Sequence, residues 1–221
     1  VPRAPLTREQ IVRAAVEVLD AEGVEGLNMR RLGAWLGTAP TAVYWHVPSK
    51  DELLVLAADE VWAEIDLPDL DGVGWRAAAV DMARNLHAMV TGHPWLVTAM
   101  STHLIYGPGK ARHDNHLLGV YEAAGFTGQD VDRAVHAVFV FVLGHALGEA
   151  SGVAWQRRLR RGGEQQVEAA IAAAVETASR YPRLRERLVS VDGQEPDQTF
   201  EWGLEAVIDG VTTRSIAHGK P

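Results

Sequence analysis

The sequence predicts an all-α protein, with a three-helix N-terminal unit ahead of a larger C-terminal helical domain. Three observations lead there. Apolar residues recur at helical spacing along nearly the whole chain, and the alternation typical of half-buried strands is scarce. Ala, Leu, Glu and Arg, all good helix formers, make up a large share of the 221 residues. The first sixty residues divide into short helices, each with its own start and stop signal.

The first helix is announced by Thr7 and Gln10, a capping box, with Leu6 and Ile11 at the positions of a hydrophobic staple. Ile11, Ala14, Ala15, Val18 and Leu19 share its inner face, and Gly23 ends it. Asn28 is a good N-cap for a second, short helix reaching Leu36, and Gly37 terminates it. A third helix begins around Thr38 to Pro40, where a proline near the first turn is tolerated, and ends by Val47-Pro48. Ser49-Lys50-Asp51-Glu52 reads as another capping box. It opens a fourth helix through Leu53, Leu54, Leu56, Ala57 and Val61 to about Ile65. Residues 66–74 are rich in Asp, Gly and Pro and mark the boundary. The expected division is therefore 1–52, a unit of three short helices; 53–74, a connecting helix and loop; and 75–221, the second domain. Further helices are expected near 75–92, 94–105, 110–124, 129–151, 163–179 and 197–217, with a short turn at 182–189 and an exposed, Arg-rich connection from Trp155 to Gly163.

The net charge of −8 is unevenly spread. Residues 1–50 hold six Lys/Arg and five Asp/Glu, so the head is +1 and the remainder −9. Phosphate contact depends on local charge, so a near-neutral head with its cations on one face is compatible with nucleic-acid binding. The chain has no cysteine, which excludes disulfides and thiolate zinc sites and fits a cytoplasmic location. No uninterrupted apolar run suggests a membrane span, and no secretory signal precedes the first helix.

Helix, glycine turn, short helix: this is the layout of a helix-turn-helix, whose second helix enters the major groove. Here that helix holds Pro40, Thr41, Ala42, Val43, Tyr44, Trp45 and His46. Thr41 can bond a base or phosphate or touch a thymine methyl, and Ala42 is small enough for the groove floor. Tyr44 and His46 can reach phosphates, while Trp45 is divided between groove and core. Arg30 can fork onto guanine or phosphate, and Lys50 can clamp a phosphate beside the free N–H groups of the fourth helix. Val43 and Val47 read as packing residues.

Residues 6–57 resemble the DNA-binding domain of the TetR family of repressors, carried by Ala42-Val43-Tyr44-Trp45-His46-Val47 and Ser49-Lys50-Asp51-Glu52-Leu53-Leu54. The resemblance implies DNA contacts at or beside Arg30, Pro40, Thr41, Ala42, Tyr44, Trp45, His46 and Lys50. One departure is notable. Pro40-Thr41-Ala42 stands where the tetracycline-responsive members have Gln-Pro-Thr, so a base-reading glutamine is lost and a different operator is implied. The likeness continues at Ala124-Gly125-Phe126-Thr127 and Phe200-Glu201-Trp202-Gly203-Leu204-Glu205. It implies a dimeric regulator, not an enzyme, that binds double-stranded operator DNA and is released by a small molecule.

For the second domain, the segment 130–151 is apolar on most sides, with Gly144, Ala146 and Gly148 allowing close approach of another helix. The final helix adds Leu204, Val207, Ile208 and Val211, with Gly203 and Gly210. In the family such helices form a four-helix homodimer interface. The remaining helices should surround an apolar cavity with a few polar groups. Candidate lining residues are Met82, Leu86, Trp95, Met100, His103, His136 and Phe139, with Trp62, His87 and Tyr121 as further candidates. Aligned without gaps, the family positions that hold tetracycline and its magnesium become Asp66, Met82, Leu86 and Met100. Methionine is a poor ligand for a hard cation, so a lipophilic or planar effector is expected, with no cofactor and no metal. His113-Asp114-Asn115-His116 offers only two imidazoles and reads as a solvated helix face. No Gly-x-Ser-x-Gly elbow, phosphate-cradling loop or His-Glu-x-x-His supports an enzyme.

Overall fold

The computed structural model describes residues 6–158, 163–188 and 196–218. Among them every regular element is a helix: α1 (Arg8–Glu22), α2 (Met29–Trp35), α3 (Pro40–His46), α4 (Lys50–Ala63), α5 (Leu70–Val73), α6 (Trp75–Gly92), α7 (Trp95–Thr102), α8 (Pro108–Ala123), α9 (Gln129–Arg158), α10 (Glu164–Ser179), α11 (Pro182–Leu188) and α12 (Pro196–His218). Parts of the expected 155–163 connection and the end of the 182–189 turn lie outside the described residues.

The early helix starts form as their sequences require. The Thr7 side chain accepts from the Gln10 N–H and the Gln10 side chain reaches back, so the capping box is complete. Gly23 closes α1 at φ +74°, a conformation that favours glycine. Asn28 accepts from the Arg31 N–H at 2.8 Å. At α4 only half of the expected box forms. Ser49 accepts from the Glu52 N–H at 3.0 Å, but the Glu52 carboxylate takes a hydrogen bond from Arg8 on α1.

Three boundaries differ from expectation. The 66–74 stretch contains the short α5, started by Asp69 accepting from the Asp71 N–H and closed by Gly74 at φ +75°. Helix α7 stops at Thr102, where the Ser101 and Thr102 hydroxyls bond back to the Thr98 carbonyl. Helix α9 runs on to Arg158, past the predicted end at 151. One glycine, Gly152, costs roughly 1 kcal/mol and is not enough to end so long a helix.

One continuous apolar core runs from α1 through α4 into α6, α8, α9 and α12. Helix α4 joins its two halves, with Leu53, Leu54, Ala57, Ala58, Val61 and Trp62 all buried. Its junction with α8 is closed by reciprocal capping. The Asp59 carboxylate on α4 accepts from the Gly109 and Lys110 N–H groups, at 3.1 and 2.9 Å, at the N-terminus of α8. In return Arg112 of α8 donates to the Ala63 and Ile65 carbonyls, at 2.8 and 2.7 Å, at the C-terminus of α4. Each helix thus supplies the charge that the other's exposed end favours. The approach needs a glycine: a Cβ on Gly109 would sit 2.3 Å from the Asp59 carbonyl oxygen.

The expected solvated face of α8 is corrected here. His113 is buried, its ring edge-on to Trp62 at 4.9 Å, and His116 donates from Nε2 to the Pro68 carbonyl at 2.9 Å. Both imidazoles anchor α8 inward.

Asp59→Ala removes two capping bonds and a favourable end charge, so we expect a loss of about 1–2 kcal/mol. That corresponds to a fall in melting midpoint of about 2–4 °C for each kcal/mol lost, read by thermal denaturation. Gly109→Val should cost more, because the clash is with backbone. Midpoints unchanged in both variants would contradict the close α4–α8 junction.

Candidate functional site

The first site is the outer surface of α3. Val43 and Val47 are fully buried beneath it, as expected of packing residues. Thr41, Tyr44, Trp45 and His46 point outward. Trp45 is 89 % exposed, which settles its position on the surface rather than in the core. Pro40 and Ala42 are half-buried at the helix start. The turn before α3 is tight: the Thr38 N–H bonds to the Gly33 carbonyl at 2.8 Å, and Gly37 takes φ +62°. Gly33 is also needed, since a Cβ there would lie 3.0 Å from the Thr38 oxygen and 3.1 Å from the Pro40 nitrogen. This contact sets α3 against α2 and presents its polar-aromatic face as a ridge.

Charge pairing within the head selects which cations face outward for other work. Arg8 pairs with Glu52, Arg13 with Glu60 at 3.8 Å, and Arg31 with Glu22. Arg30 is exposed and makes no ion pair among the described residues. Lys50 donates one bond from Nζ to the Val24 carbonyl at 2.9 Å, which positions its ammonium and uses one of three donors. Arg3 of the sequence-level charge balance lies outside the described residues.

The second site lies between α8 and α9. A cleft of about 360 Å³ is lined by Tyr106, Lys110, Asp114, Leu117, Leu118, Asp132, Val135, His136 and Phe139. Lys110 is its polar centre. The ammonium bonds both Asp114 oxygens, at 2.9 and 2.6 Å, and lies 4.8 Å from the Trp62 ring, 5.5 Å from Phe139 and 5.8 Å from Tyr106. Such faces stabilise a cation. Burial works to raise the Asp114 pKa, but hydrogen bonds with His113 and Lys110 outweigh it and hold the carboxyl below its usual range. Behind the cleft, Trp62 Nε1 and His113 Nε2 are buried without hydrogen-bond partners among the described residues, as is the Tyr121 hydroxyl beside Phe126. Burial pushes the Tyr121 phenol up to about 12, so it stays a neutral donor. Buried polar groups left unpaired are costly, and they commonly mark a place where another molecule completes the network.

The predicted lining residues divide. His136 and Phe139 line the cleft. Met100 packs on the core, half-buried, and Met82 and Leu86 fill the core along α6. Trp95 and His103 stand elsewhere, at the junction with the head. The Trp95 indole N–H and the His93 Nδ1–H both donate to Asp20 Oδ1 on α1, each at 2.7 Å. His103 lies 3.5 Å from Asp51 at the start of α4. Lys110 escaped notice; its one local signal is Asp114 four residues on, a spacing common on solvent faces.

Comparisons with known proteins agree with this layout. Residues 11–57 match the family described as bacterial regulatory proteins, tetR family, and residues 67–215 match the tetracyclin repressor-like C-terminal domain. The HTH-type transcriptional repressor DrrR1 of Streptomyces coeruleorubidus is 34 % identical over 95 % of this chain and 78 % of its own length. The tetracycline repressor protein class A from transposon 1721 of Escherichia coli is 30 % identical over 93 % of this chain and 90 % of its own. Among solved structures, ActR from Streptomyces coelicolor in complex with actinorhodin superposes with a TM-score of 0.77 at 28 % identity, covering 96 % of this chain and 98 % of that one.

Lys50→Ala should weaken binding to all duplexes alike and lower the slope of log affinity against log salt by about one. Replacing Thr41 should change which sequence is preferred, with a discrimination of about 1–3 kcal/mol at the affected base pair. Fluorescence anisotropy over a salt series checks both. An unchanged slope for Lys50→Ala would remove it from the interface.

Proposed function

Because the chain belongs to the tetR family of bacterial regulatory proteins, it is a DNA-binding transcriptional regulator, and we propose that it acts as a homodimeric repressor released by a small effector. The observation that supports this reading is that α4 packs both on α1 in the head and on α8, which lines the cleft, so one helix belongs to both halves. Residues 1–52 bind operator DNA, 53–74 connect, and 75–221 take the effector and the second subunit. Helix α4 belongs to both halves mechanically. The protein works in the cytoplasm, where its operator lies, and carries out no catalysis.

The dimer face lies on α9 and α12. Gln129–Gly152 has the length and mean hydropathy of a membrane span, yet only 22 % of that window is buried in the single chain. Charges at Asp130, Asp132, Arg133 and Glu149, and its packing on α6, α8 and α12, speak for a protein partner rather than lipid. Val140, Leu147 and Trp202 are exposed, and a groove of about 530 Å³ between α9 and α12 is lined by Ala134, Ala137, Val207, Gly210 and Val211. A Cβ at Gly144, Gly148 or Gly210 would meet nothing within 4 Å, leaving room for a second copy. Gly203 serves a different purpose: a Cβ there would strike the Phe141 ring of the same chain at 2.6 Å. Two copies let the recognition helices meet successive major grooves.

The effector is mostly apolar and planar. Phe139 and Tyr106 offer ring surfaces, and Lys110, Asp114 and His136 offer polar anchors. ActR, solved in complex with actinorhodin, is a precedent for a bound small molecule on this fold.

Selection of random DNA duplexes on the immobilised protein tests the DNA reading. It should enrich a two-fold symmetric site with half-site centres separated by about one helical turn or a multiple of it. Failure to enrich any sequence would overturn the proposal. Gly148→Glu should convert the dimer to monomer by sedimentation and lower operator affinity. A wild-type monomer at micromolar concentration would contradict the assembly.

A further inference from the structure

We infer that His87, His145 and Glu149 form a binding site for a divalent transition-metal ion of the zinc type. Helix α6 supplies His87, and α9 supplies His145 and Glu149 four residues apart on one face. The ligand atoms of all three lie within 4.8 Å of one another. Glu149 Oε1 is 3.3 Å from His87 Nε2 and 3.3 Å from His145 Nδ1. For metal–ligand bonds of about 2.0–2.1 Å, tetrahedral ligands stand about 3.3–3.4 Å apart, so two edges of the polyhedron already have the required length. The remaining imidazole–imidazole edge is at most 4.8 Å long.

The direction of the nitrogens supports this. Among the described residues His145 Nδ1 is buried without a hydrogen-bond partner even though the Glu149 oxygen lies 3.3 Å away, so that contact lacks hydrogen-bond geometry. The surroundings hold the rings in place: Phe200 of α12 stacks on His87 at 4.1 Å and meets His145 edge-on at 5.2 Å. Glu201, close enough to His87 to interact electrostatically, is engaged elsewhere. Arg84 forks onto Glu201 at 2.8 and 2.7 Å, and those hydrogen bonds hold Glu201 below its usual pKa. The two histidine nitrogens are buried, and Glu149, with 30 % side-chain exposure, is the side from which a water could join as a fourth ligand. Two imidazoles and one carboxylate favour a borderline ion such as zinc over magnesium or calcium. The site is separate from Asp66, Met82, Leu86 and Met100, the positions matched above to the drug and magnesium contacts of the family. Reading the sequence by local spacing missed it because its ligands come from distant helices.

Cobalt(II) is a suitable probe, since its visible absorption is intense when four-coordinate and weak when six-coordinate. Titrated into metal-free, full-length protein, it should bind one equivalent per chain with the intense band, and Zn²⁺ should displace it. Zn²⁺ should also raise the melting midpoint, because the site exists only in the folded chain. Loss of an outer partner of a metal ligand costs about 10–100-fold in affinity, so loss of a ligand itself should cost at least about 100-fold. Glu149→Gln, which keeps the side-chain shape, and His87→Phe, which keeps the stack on Phe200, should both show that loss with the metal-free midpoint nearly unchanged. A weak six-coordinate band, or affinity retained in both variants, would overturn the inference. Absence of cobalt binding, with a pH-dependent midpoint difference between wild type and Glu149→Gln, would identify the cluster as an ion pair instead.

Discussion

Helices α4 and α8 cap each other's ends, and the link between the head and the α8–α9 cleft depends on that exchange. Asp59 holds the first turn of α8, while Arg112 holds the last carbonyls of α4. Gly109 allows the two backbones to come this close. Neither helix can slide without breaking charge-assisted hydrogen bonds, each stronger than its neutral counterpart. Lys110, next to Gly109, carries the ammonium at the centre of the cleft. A molecule that rearranges the Lys110–Asp114 pair therefore acts on the first turn of α8, and through Asp59 on α4. With 14 residues, α4 spans roughly 21 Å, so a small tilt at one end becomes a displacement at the Lys50 end.

A second tie supports the head from below. Asp20 at the end of α1 accepts from both His93 and Trp95, at the turn between α6 and α7. The head is thus held at two places, by α4 and by the α6–α7 corner. The proposed metal cluster grips α6 to α9 and so fixes the helix that leads to this corner. Operator half-sites are spaced by the pitch of DNA, and a rotation of the two heads relative to one another costs contacts on one side.

Much of this architecture was legible in the sequence, for physical reasons that differ from place to place. Thr7, Asn28, Ser49 and Gly23 are local signals, since capping bonds and positive φ involve residues only a few positions apart. The α3 surface followed from the same logic, with Val43 and Val47 inward and Tyr44 and His46 outward. Trp45 could not be placed by pattern, because a large aromatic fits either environment. The interior polar groups were harder. His113 looked solvated because period and polarity alone do not say which imidazole is drawn in beside a tryptophan. Trp95 looked like a lining residue, but its indole N–H is taken by Asp20 in another helix. Lys110 and the α6–α9 cluster are tertiary facts. Their partners are separated by long stretches of chain, and no spacing rule brings them together.

The central claim is that effector and operator oppose each other through the α4–α8 junction. The most direct measurement uses an effector drawn from a screen of planar aromatic compounds. Its affinity is determined by calorimetry with and without saturating operator, in wild type and in Arg112→Ala. Linkage demands that each ligand weaken the other by the same factor. The account predicts binding about 10–100-fold weaker in the presence of operator, equivalent to about 1.4–2.8 kcal/mol, and a smaller ratio in Arg112→Ala. Equal affinities with and without operator in wild type, or an undiminished ratio in Arg112→Ala, would contradict it.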